Sequence, residues 1–153
     1  MNVIGHDLKN KKISNVRNVS LNYLFKNSDI ISIHIHLNKS TENFINKKNL
    51  SIMKKNTILI NTSRGKIINE KDLKNFMSKN ENFYAGLDVI DGEWLSKKKL
   101  LNHKLIKYSK NNNNLLIVPH IGGSTLESIY GARIFMIRKL LNLIKNKKYG
   151  LNK

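Results

Sequence analysis

Short apolar runs alternate with segments of helical periodicity along most of this 153-residue chain. Residues 57–61 and residues 115–118 are the clearest runs, and their β-branched and aliphatic side chains are typical of buried strands. Strand–helix–strand alternation is the pattern of parallel βαβ units, in which each crossover helix packs back onto the sheet. The sequence therefore predicts an α/β fold with a parallel sheet.

The same pattern places the individual elements. Strands are predicted at residues 2–7, 29–35, 57–61, 83–89 and 115–118. Helices are predicted to follow Ser20, Asn69 and Ser124, which are residues of the type that caps a helix N-terminus. A further short helix is predicted near residues 46–54. Ser124 and Glu127 also have the spacing of a capping box. Residues 91–114 are predicted to form a polar excursion, in which the run of four asparagines is a surface loop. The apolarity of residues 57–61 predicts a strand that is covered on both faces of the sheet.

Composition narrows the class of protein. The chain has no Cys, which excludes disulfides, thiolate metal sites and Cys nucleophiles and is consistent with a cytoplasmic protein. It has no apolar run near the roughly 20 residues of a membrane span, and its N-terminus lacks the features of a signal peptide. His6, His36 and His103 lack carboxylates at ligand spacing, so we expect no metal site.

The net charge of +18 by itself suggests a nucleic-acid partner. The lysines are spread over the whole chain, however, and aromatic residues make up only 7% of it, so no stacking platform for bases is recognisable. We therefore expect non-specific binding to polyanions at low salt but no specific nucleic-acid partner.

Residues with useful chemistry follow several of the predicted strands. Asp7 ends the first strand, where an acid can accept hydrogen bonds from ribose hydroxyls or simply belong to a turn. Arg64 follows residues 57–61, next to Gly65, and its planar guanidinium can bind a carboxylate or simply face solvent. Asp88 ends the fourth strand, where its carboxylate can accept a hydrogen bond from a carboxamide.

His120 follows the last predicted strand and precedes Gly122 and Gly123. An imidazole at a strand's carboxyl end, beside glycines that let backbone approach a ligand, is a candidate general acid/base; a plain loop His beside a Gly-Gly turn is the alternative. Glu93, in the loop after the fourth strand, could accept a hydrogen bond from that imidazole, which would fix its tautomer and favour its protonated form. Arg64, Glu93 and His120 would together supply a carboxylate anchor, an orienting acid and a proton donor at one sheet edge.

Several of these segments together resemble a known family. They are residues 3–7, 28–34, 53–55, 58–65, 85–89 with Glu93, and 119–125. In colinear order and over nearly the whole chain, they resemble the NAD-binding domain of the D-isomer-specific 2-hydroxyacid dehydrogenases, particularly the phosphoglycerate-dehydrogenase-like branch. The resemblance implies a partial Rossmann-type doubly wound parallel sheet in three αβα layers, which starts at the second strand of that domain.

The resemblance also implies roles for single residues. Arg64 would bind the carboxylate and 2-oxo group of a small 2-hydroxy or 2-oxo acid, with His120 as proton donor and acceptor and Glu93 as its partner. Hydride would pass between C4 of the nicotinamide of NAD and C2 of the substrate, so the cofactor would supply the redox chemistry. The cofactor-binding residues would be Asp7 at the adenosine ribose, Asp88 near the nicotinamide carboxamide, and Thr62, Ser63, Gly122 and Gly123 along the cleft; His34 either joins them or is packed. An acid at position 7 repels a 2′-phosphate and favours NAD over NADP.

Three features depart from the family pattern. His36 and Trp94 stand where the family usually has Pro, which would reshape a loop without removing a catalytic group. The Gly-x-Gly-x-x-Gly loop that binds the pyrophosphate should lie about 20 residues before Asp7, and the eight glycines form no such pattern in the chain. We therefore expect residues 1–123 to be a partial NAD-binding domain that lacks a central strand and has exposed strand edges, and residues 124–153 to be a helix that returns toward an absent substrate domain.

Three hypotheses follow from these patterns. The leading one is the C-terminal portion of a truncated or split dehydrogenase, weakly active or inactive by itself, that forms a homodimer or associates with an N-terminal partner chain. The first alternative is a non-catalytic remnant or subunit that uses its exposed sheet edge to bind another chain. The second alternative is a basic nucleic-acid-binding domain.

Overall fold

The structure is a computed structural model that describes residues 1–9 and 13–145. The chain divides into two compact units, Met1–Pro119 and His120–Lys153. Residues 146–153, which belong to the predicted C-terminal segment, lie outside the described residues. In the part of the chain that is described, none of the helices has the length and apolar character that a membrane crossing requires.

The first unit alternates strands with helices. Its strands are β1 (Ile4–Gly5), β2 (Arg17–Asn18), β3 (Ile30–Ile33), β4 (Ile58–Asn61), β5 (Tyr84–Leu87) and β6 (Leu115–Ile117). Its helices are α1 (Leu21–Asn27), α2 (Lys47–Ile52), α3 (Glu70–Met77), α4 (Lys97–Leu101) and α5 (Lys104–Ser109), with a short 3₁₀ turn at Gly65–Ile67. The second unit contains α6 (Leu126–Lys145). The predicted strands and helices are therefore all present, within shorter bounds.

All strand pairs among the described residues are parallel, which confirms the α/β prediction. β3, β4, β5 and β6 form a four-stranded sheet in that order, and β1 pairs with β2 in a separate two-stranded sheet. In the larger sheet Ile30 lies opposite Ile58, and Ile58 lies opposite Tyr84, so the carboxyl ends of the strands meet at one edge. No described strand pairs with the outer edge of β1 or of β3, as we expect for a sheet that lacks a central strand.

Side-chain caps explain where the helices begin. At α1 the Ser20 hydroxyl accepts a hydrogen bond from Tyr23 N (3.3 Å), and at α3 the Asn69 side chain accepts one from Asp72 N (3.1 Å). The Asn46 side chain accepts hydrogen bonds from two N–H groups in the first turn of α2. These bonds satisfy donors that a helix N-terminus leaves unbonded, and those at α1 and α3 confirm the predicted caps Ser20 and Asn69.

Residues 91–114 contain more structure than the predicted polar excursion. α4 and α5 lie in this segment, and Leu105 and Tyr108 of α5 are buried in the core. Asn114, the last of four consecutive asparagines, is also buried, and its Oδ1 accepts a hydrogen bond from the Tyr108 hydroxyl (3.1 Å). The surface-loop prediction is therefore wrong for Asn114, which bonds Tyr108 in the core. The sequence does not predict α4 and α5, because abundant lysines and asparagines dilute their short apolar faces.

Four helices of the first unit cover one face of the larger sheet. Phe25 of α1, Leu50 of α2 and Leu73 of α3 are buried in the same apolar cluster as Leu59 of β4, and α5 contributes Leu105. Right-handed crossovers that progress in one direction along a sheet place their helices on one face, which is the arrangement of β3 to β6. The core of the unit therefore lies between this face and α1, α2, α3 and α5.

Among the described residues of the first unit, no element covers the opposite face of the sheet. A row of apolar side chains crosses all four strands there: Ile30 (54% exposed), Ile58 (40%), Tyr84 (47%) and Leu116 (65%). The prediction that residues 57–61 are covered on both faces thus holds on one face only. Parallel sheets are normally covered on both faces, so this row is an apolar surface suited to burial.

The N-terminal cap of α6 lies one residue later than predicted, at Thr125 instead of Ser124. The Thr125 hydroxyl accepts a hydrogen bond from Ser128 N (3.2 Å), whereas Ser124 N donates to Ile121 O (3.0 Å) in the preceding turn. Thr125 is therefore the cap, and the predicted capping box of Ser124 and Glu127 is wrong because Ser124 closes a turn instead. The apolar side chains predicted to form a stripe on this helix are exposed: Ile129, Ala132, Ile134, Ile137, Leu140, Leu141 and Ile144.

The two faces of β4 give a matched pair of variants. We expect Leu59→Ala to lower the free energy of unfolding by about 2–5 kcal/mol, because it leaves a cavity in the core cluster. Ile58→Ala should cost less than about 1.5 kcal/mol, since much of that side chain is already in water. Urea denaturation followed by circular dichroism measures both losses. Equal losses would show that the second face of the sheet is covered in solution.

Candidate functional site

The carboxyl ends of β3 to β6 carry most of the predicted site residues. Asp88 N, directly after β5, donates a hydrogen bond to Asn61 O at the end of β4 (3.0 Å). Val118 N, directly after β6, donates one to Leu87 O (3.0 Å). The loops that follow β4 and β5 therefore leave the sheet side by side, at the edge where α/β sheets bind ligands.

The turn that carries Arg64 is built on Asn61. Asn61 is fully buried; its Oδ1 accepts a hydrogen bond from Ser63 N (3.0 Å), and its Nδ2 donates one to Arg64 O (3.0 Å). The Ser63 hydroxyl donates to Ile33 O (2.6 Å), which ties the turn to β3. Thr62 and Arg64 stay exposed, and Arg64 Nη1 donates to Ser63 O (2.6 Å). A guanidinium that is anchored at its base and exposed to solvent is able to bind a carboxylate.

Gly65 joins the Arg64 turn to the loop after β5. It is buried, and a Cβ at this position would overlap the backbone of Ile90 and Asp91. Glycine alone permits this approach of two backbones. Arg64 and the loop that carries Glu93 are therefore held together by direct backbone packing.

The loop after β5 begins buried and ends in a tight turn. Asp88 is buried, whereas Glu93 is half-buried with its Oε2 shielded from solvent. Gly92 has φ +76°, a left-handed conformation that favours glycine, and its carbonyl accepts a hydrogen bond from Leu95 N (2.9 Å). Glu93 and the exposed Trp94 therefore occupy the two central positions of this turn.

Asp7 and His34 follow β1 and β3. Asp7 is exposed two residues after β1, and its Oδ1 accepts a hydrogen bond from Lys9 N (2.7 Å). His34 is exposed directly after β3, and its Nε2 lies 2.8 Å from the Ser32 hydroxyl. Both side chains are accessible at the carboxyl end of a strand, and their cofactor roles stay predictions.

His120, Gly122 and Gly123 belong to the second unit. His120 is half-buried and has φ +53°, in the left-handed region that non-glycine residues seldom adopt. Such conformations cluster at functional sites, where the surrounding structure holds them. Arg64 and Glu93 belong to the first unit, so the meeting of His120 with these two residues stays a prediction.

The donors and acceptors of the first unit define what its strand ends can bind. The β3–β6 edge offers the carboxylate of Asp88, the guanidinium of Arg64 and the hydroxyls of Thr62 and Ser63, and the end of β1 offers the carboxylate of Asp7. Among residues 1–9 and 13–145, no group of three His, Asp or Glu side chains is placed to hold a metal ion. This set of groups suits an organic ligand with hydroxyl, amide and carboxylate groups.

Residues 1–122 match the family described as "D-isomer specific 2-hydroxyacid dehydrogenase, NAD binding domain", and the chain belongs to this family. One curated relative, the erythronate-4-phosphate dehydrogenase of Wigglesworthia glossinidia brevipalpis, is 39% identical, with a match that covers 91% of this chain and 36% of the relative. The chain therefore spans little more than a third of this relative's length.

Solved structures agree with this assignment. The NAD-complexed D-isomer specific 2-hydroxyacid dehydrogenase of Lactobacillus delbrueckii ssp. bulgaricus superposes with a TM-score of 0.82 at 28% identity, over 95% of this chain and 46% of that one. An acyclic imino acid reductase in complex with NADPH superposes with a TM-score of 0.78 at 28% identity, over 100% of this chain and 46% of that one. These neighbours confirm the Rossmann-type fold, and this chain again spans less than half of their length.

The backbone contact of Gly65 is open to a direct test. We expect Gly65→Ala to destabilise the chain by about 1–3 kcal/mol, because the added methyl group must push the Ile90–Asp91 backbone away. Gly86→Ala is the control: a Cβ there meets nothing within 4 Å, so the change should be neutral or stabilise by up to about 1 kcal/mol. Thermal denaturation of both variants measures the difference. A Gly65→Ala variant as stable as the parent would contradict the close approach.

Proposed function

We propose that this chain supplies the part of an active site that binds the nicotinamide and the substrate carboxylate in an NAD-dependent dehydrogenase of small D-2-hydroxy acids. The observation that carries the proposal is the packing of Gly65 on the Ile90–Asp91 backbone, which sets the loops of Arg64 and Glu93 side by side. The family match of residues 1–122 supports the same conclusion. The reaction class is the reversible reduction of a 2-oxo acid to a D-2-hydroxy acid.

In this proposal Arg64 binds the substrate. A 2-oxo acid presents carboxylate and carbonyl oxygens in one plane, and the planar fork of a guanidinium matches them with two N–H donors. The hydrogen bonds of Asn61 and Ser63 support this role, because they fix the turn from which the Arg64 side chain extends.

His120 handles the proton. It donates a proton to the C2 oxygen when the oxo acid is reduced and takes one back when the hydroxy acid is oxidised. Glu93 accepts a hydrogen bond from the imidazole and holds it in the required tautomer. When bound, the reduced nicotinamide supplies the hydride that C2 accepts. The hydride on C2 and the proton on the C2 oxygen together convert the carbonyl to an alcohol.

The proposed cofactor is NAD. Asp7 fits an adenosine ribose, because an exposed carboxylate after a strand can accept hydrogen bonds from both ribose hydroxyls and repels a 2′-phosphate. Asp88 fits the nicotinamide carboxamide as a buried acceptor at the end of β5. The remaining proposed contacts along the cleft are His34, Thr62, Ser63, Gly122 and Gly123. One structural neighbour, the acyclic imino acid reductase, is a complex with NADPH, so the fold alone does not choose between NAD and NADP. The proposal of NAD therefore rests on Asp7.

We further propose how the chain is used in a larger assembly. Residues 1–123 would act as the NAD-binding domain, and residues 124–153 would lead toward a substrate domain. The unpaired edges of β1 and β3 support association with further protein, either an N-terminal partner or a second copy in a homodimer. A cytoplasmic location is consistent with the absence of Cys.

A non-catalytic binding subunit is the second candidate function. The observation that favours it is the exposed apolar row of Ile30, Ile58, Tyr84 and Leu116, because a surface of this kind is stabilised when another protein covers it. In that case the site residues would remain in place, but the assembled protein would not turn over a 2-oxo acid.

The two functions are separated by an activity assay on the protein purified natively through a tag on this chain, so that any attached segment or partner is retained. We expect NADH oxidation with short 2-oxo acids, and His120→Asn should lower kcat by about 10²–10⁴. Asn is chosen because it tolerates the left-handed backbone of His120. Arg64→Lys should mainly raise KM for the oxo acid, and Arg138→Lys on α6 is the control.

Two results would contradict the dehydrogenase proposal. One is a native preparation that oxidises NADH with none of the 2-oxo acids, which would favour the binding subunit. The other is full activity in His120→Asn, which would remove His120 from the chemistry.

A further inference from the structure

The backbone N–H and C=O of Asp91, which belong to two successive peptides, are both bonded to largely buried side chains of other elements. Asp91 N donates a hydrogen bond to Glu70 Oε1 (2.7 Å), and Asp91 O lies 3.1 Å from His103 Nε2. The same His103 Nε2 lies 3.1 Å from Glu70 Oε2. Glu70 and His103 therefore close a ring of contacts around the backbone of Asp91, with Glu70 as the first residue of α3 and His103 as the cap of α5.

The tautomer of His103 follows from its other contact. Its Nδ1 accepts a hydrogen bond from Leu105 N (3.3 Å), the capping bond of α5, so the ring proton belongs on Nε2. Nε2–H then donates to Asp91 O and to the Glu70 carboxylate. One imidazole thus caps a helix and bonds the loop after β5.

The burial of this pair distinguishes it from a surface ion pair. The side chains of His103 and Glu70 are 13% and 19% exposed. Burial raises the pKa of the Glu70 carboxyl above its usual value, although the hydrogen bonds from Asp91 N and from His103 Nε2 lower it. Burial of a carboxyl costs free energy unless hydrogen bonds compensate for the lost water. Here the Asp91 N–H and His103 supply those bonds.

The 90–91 peptide, whose N–H bonds Glu70, is the one that packs on Gly65, and Asp91 is two residues before Glu93. Gly92 follows it and opens the turn of Glu93 and Trp94. Displacement of the Asp91 peptide would therefore move Glu93 relative to the Arg64 turn.

We propose that Glu70 and His103 are positioning residues, which hold the Asp91 peptide and thereby set Glu93 against Arg64. Neither side chain is needed to touch substrate or cofactor. An effect of this positioning on catalysis rests on the function proposed above for Glu93 and Arg64. The contacts of Glu70 and His103 with the Asp91 backbone are a property of the folded chain and are measured without any ligand. A failure of this proposal is therefore distinguishable from a failure of the proposed function.

Trp94 provides the test, because it is the single tryptophan of the chain and the residue after Glu93. We expect Glu70→Ala to lower the fluorescence anisotropy of Trp94 and to speed hydrogen exchange of the Asp91 amide about tenfold to a hundredfold, since a bond to a charged acceptor is lost. Glu70→Gln should restore most of this protection, because its amide oxygen still accepts from Asp91 N. His103→Asn, which keeps a residue able to cap α5, should lower the anisotropy as well.

The control is Glu42→Ala, which removes another Glu of equal charge from an exposed pair with Lys66 (4.0 Å). It should change neither the anisotropy nor the exchange of the Asp91 amide. The proposal is overturned if Glu70→Ala and His103→Asn leave Trp94 and Asp91 as in the parent. It is also overturned if exchange rises equally over β4 and α3, because that result describes a general loss of stability.

Discussion

The parallel hydrogen-bond ladder of β3 to β6 is the constraint on which the rest of the first unit depends. Its register places Asn61 opposite Leu87, so the chain leaves β4 and β5 at the same level of the sheet. The contacts between the loops after β4 and β5 depend on this register, including the hydrogen bond from Asp88 N to Asn61 O. A shift of one residue would turn Leu59 out of the core and Ile58 into it, so the buried face of the sheet also fixes the site.

Contacts of two kinds join the strand-end loops. Gly65 packs backbone on backbone against Ile90, which brings the loops of Arg64 and Glu93 together. Side chains from outside the sheet then hold the backbone N–H and C=O of Asp91. The loop after β5 is thereby built as a fixed part of the edge, although it carries polar residues and a glycine turn. Preorganisation of this kind is what a site for orienting a small acid requires.

Sequence reasoning succeeded where the signal is local and failed where it depends on distant loops. The caps Ser20 and Asn69 follow from hydrogen bonds within a few residues, and the strands follow from apolar runs. The contacts of Gly65, Glu70 and His103 exist only once the sheet has brought separate segments together. No local sequence pattern therefore predicts them. The missed helices α4 and α5 have a different cause, since polar composition hides their short apolar faces.

The proposed function requires that the carboxyl ends of the strands bind a nicotinamide dinucleotide. Titration of the isotope-labelled chain with NADH, followed in amide correlation spectra, tests it directly and detects weak binding. We predict that shifts concentrate at the carboxyl ends of the strands, at Asp7, Thr62, Ser63, Asp88 and Gly122. Shifts confined to lysines of the helical surface, or no shifts up to about millimolar NADH, the weak end of measurable affinity, would contradict the account.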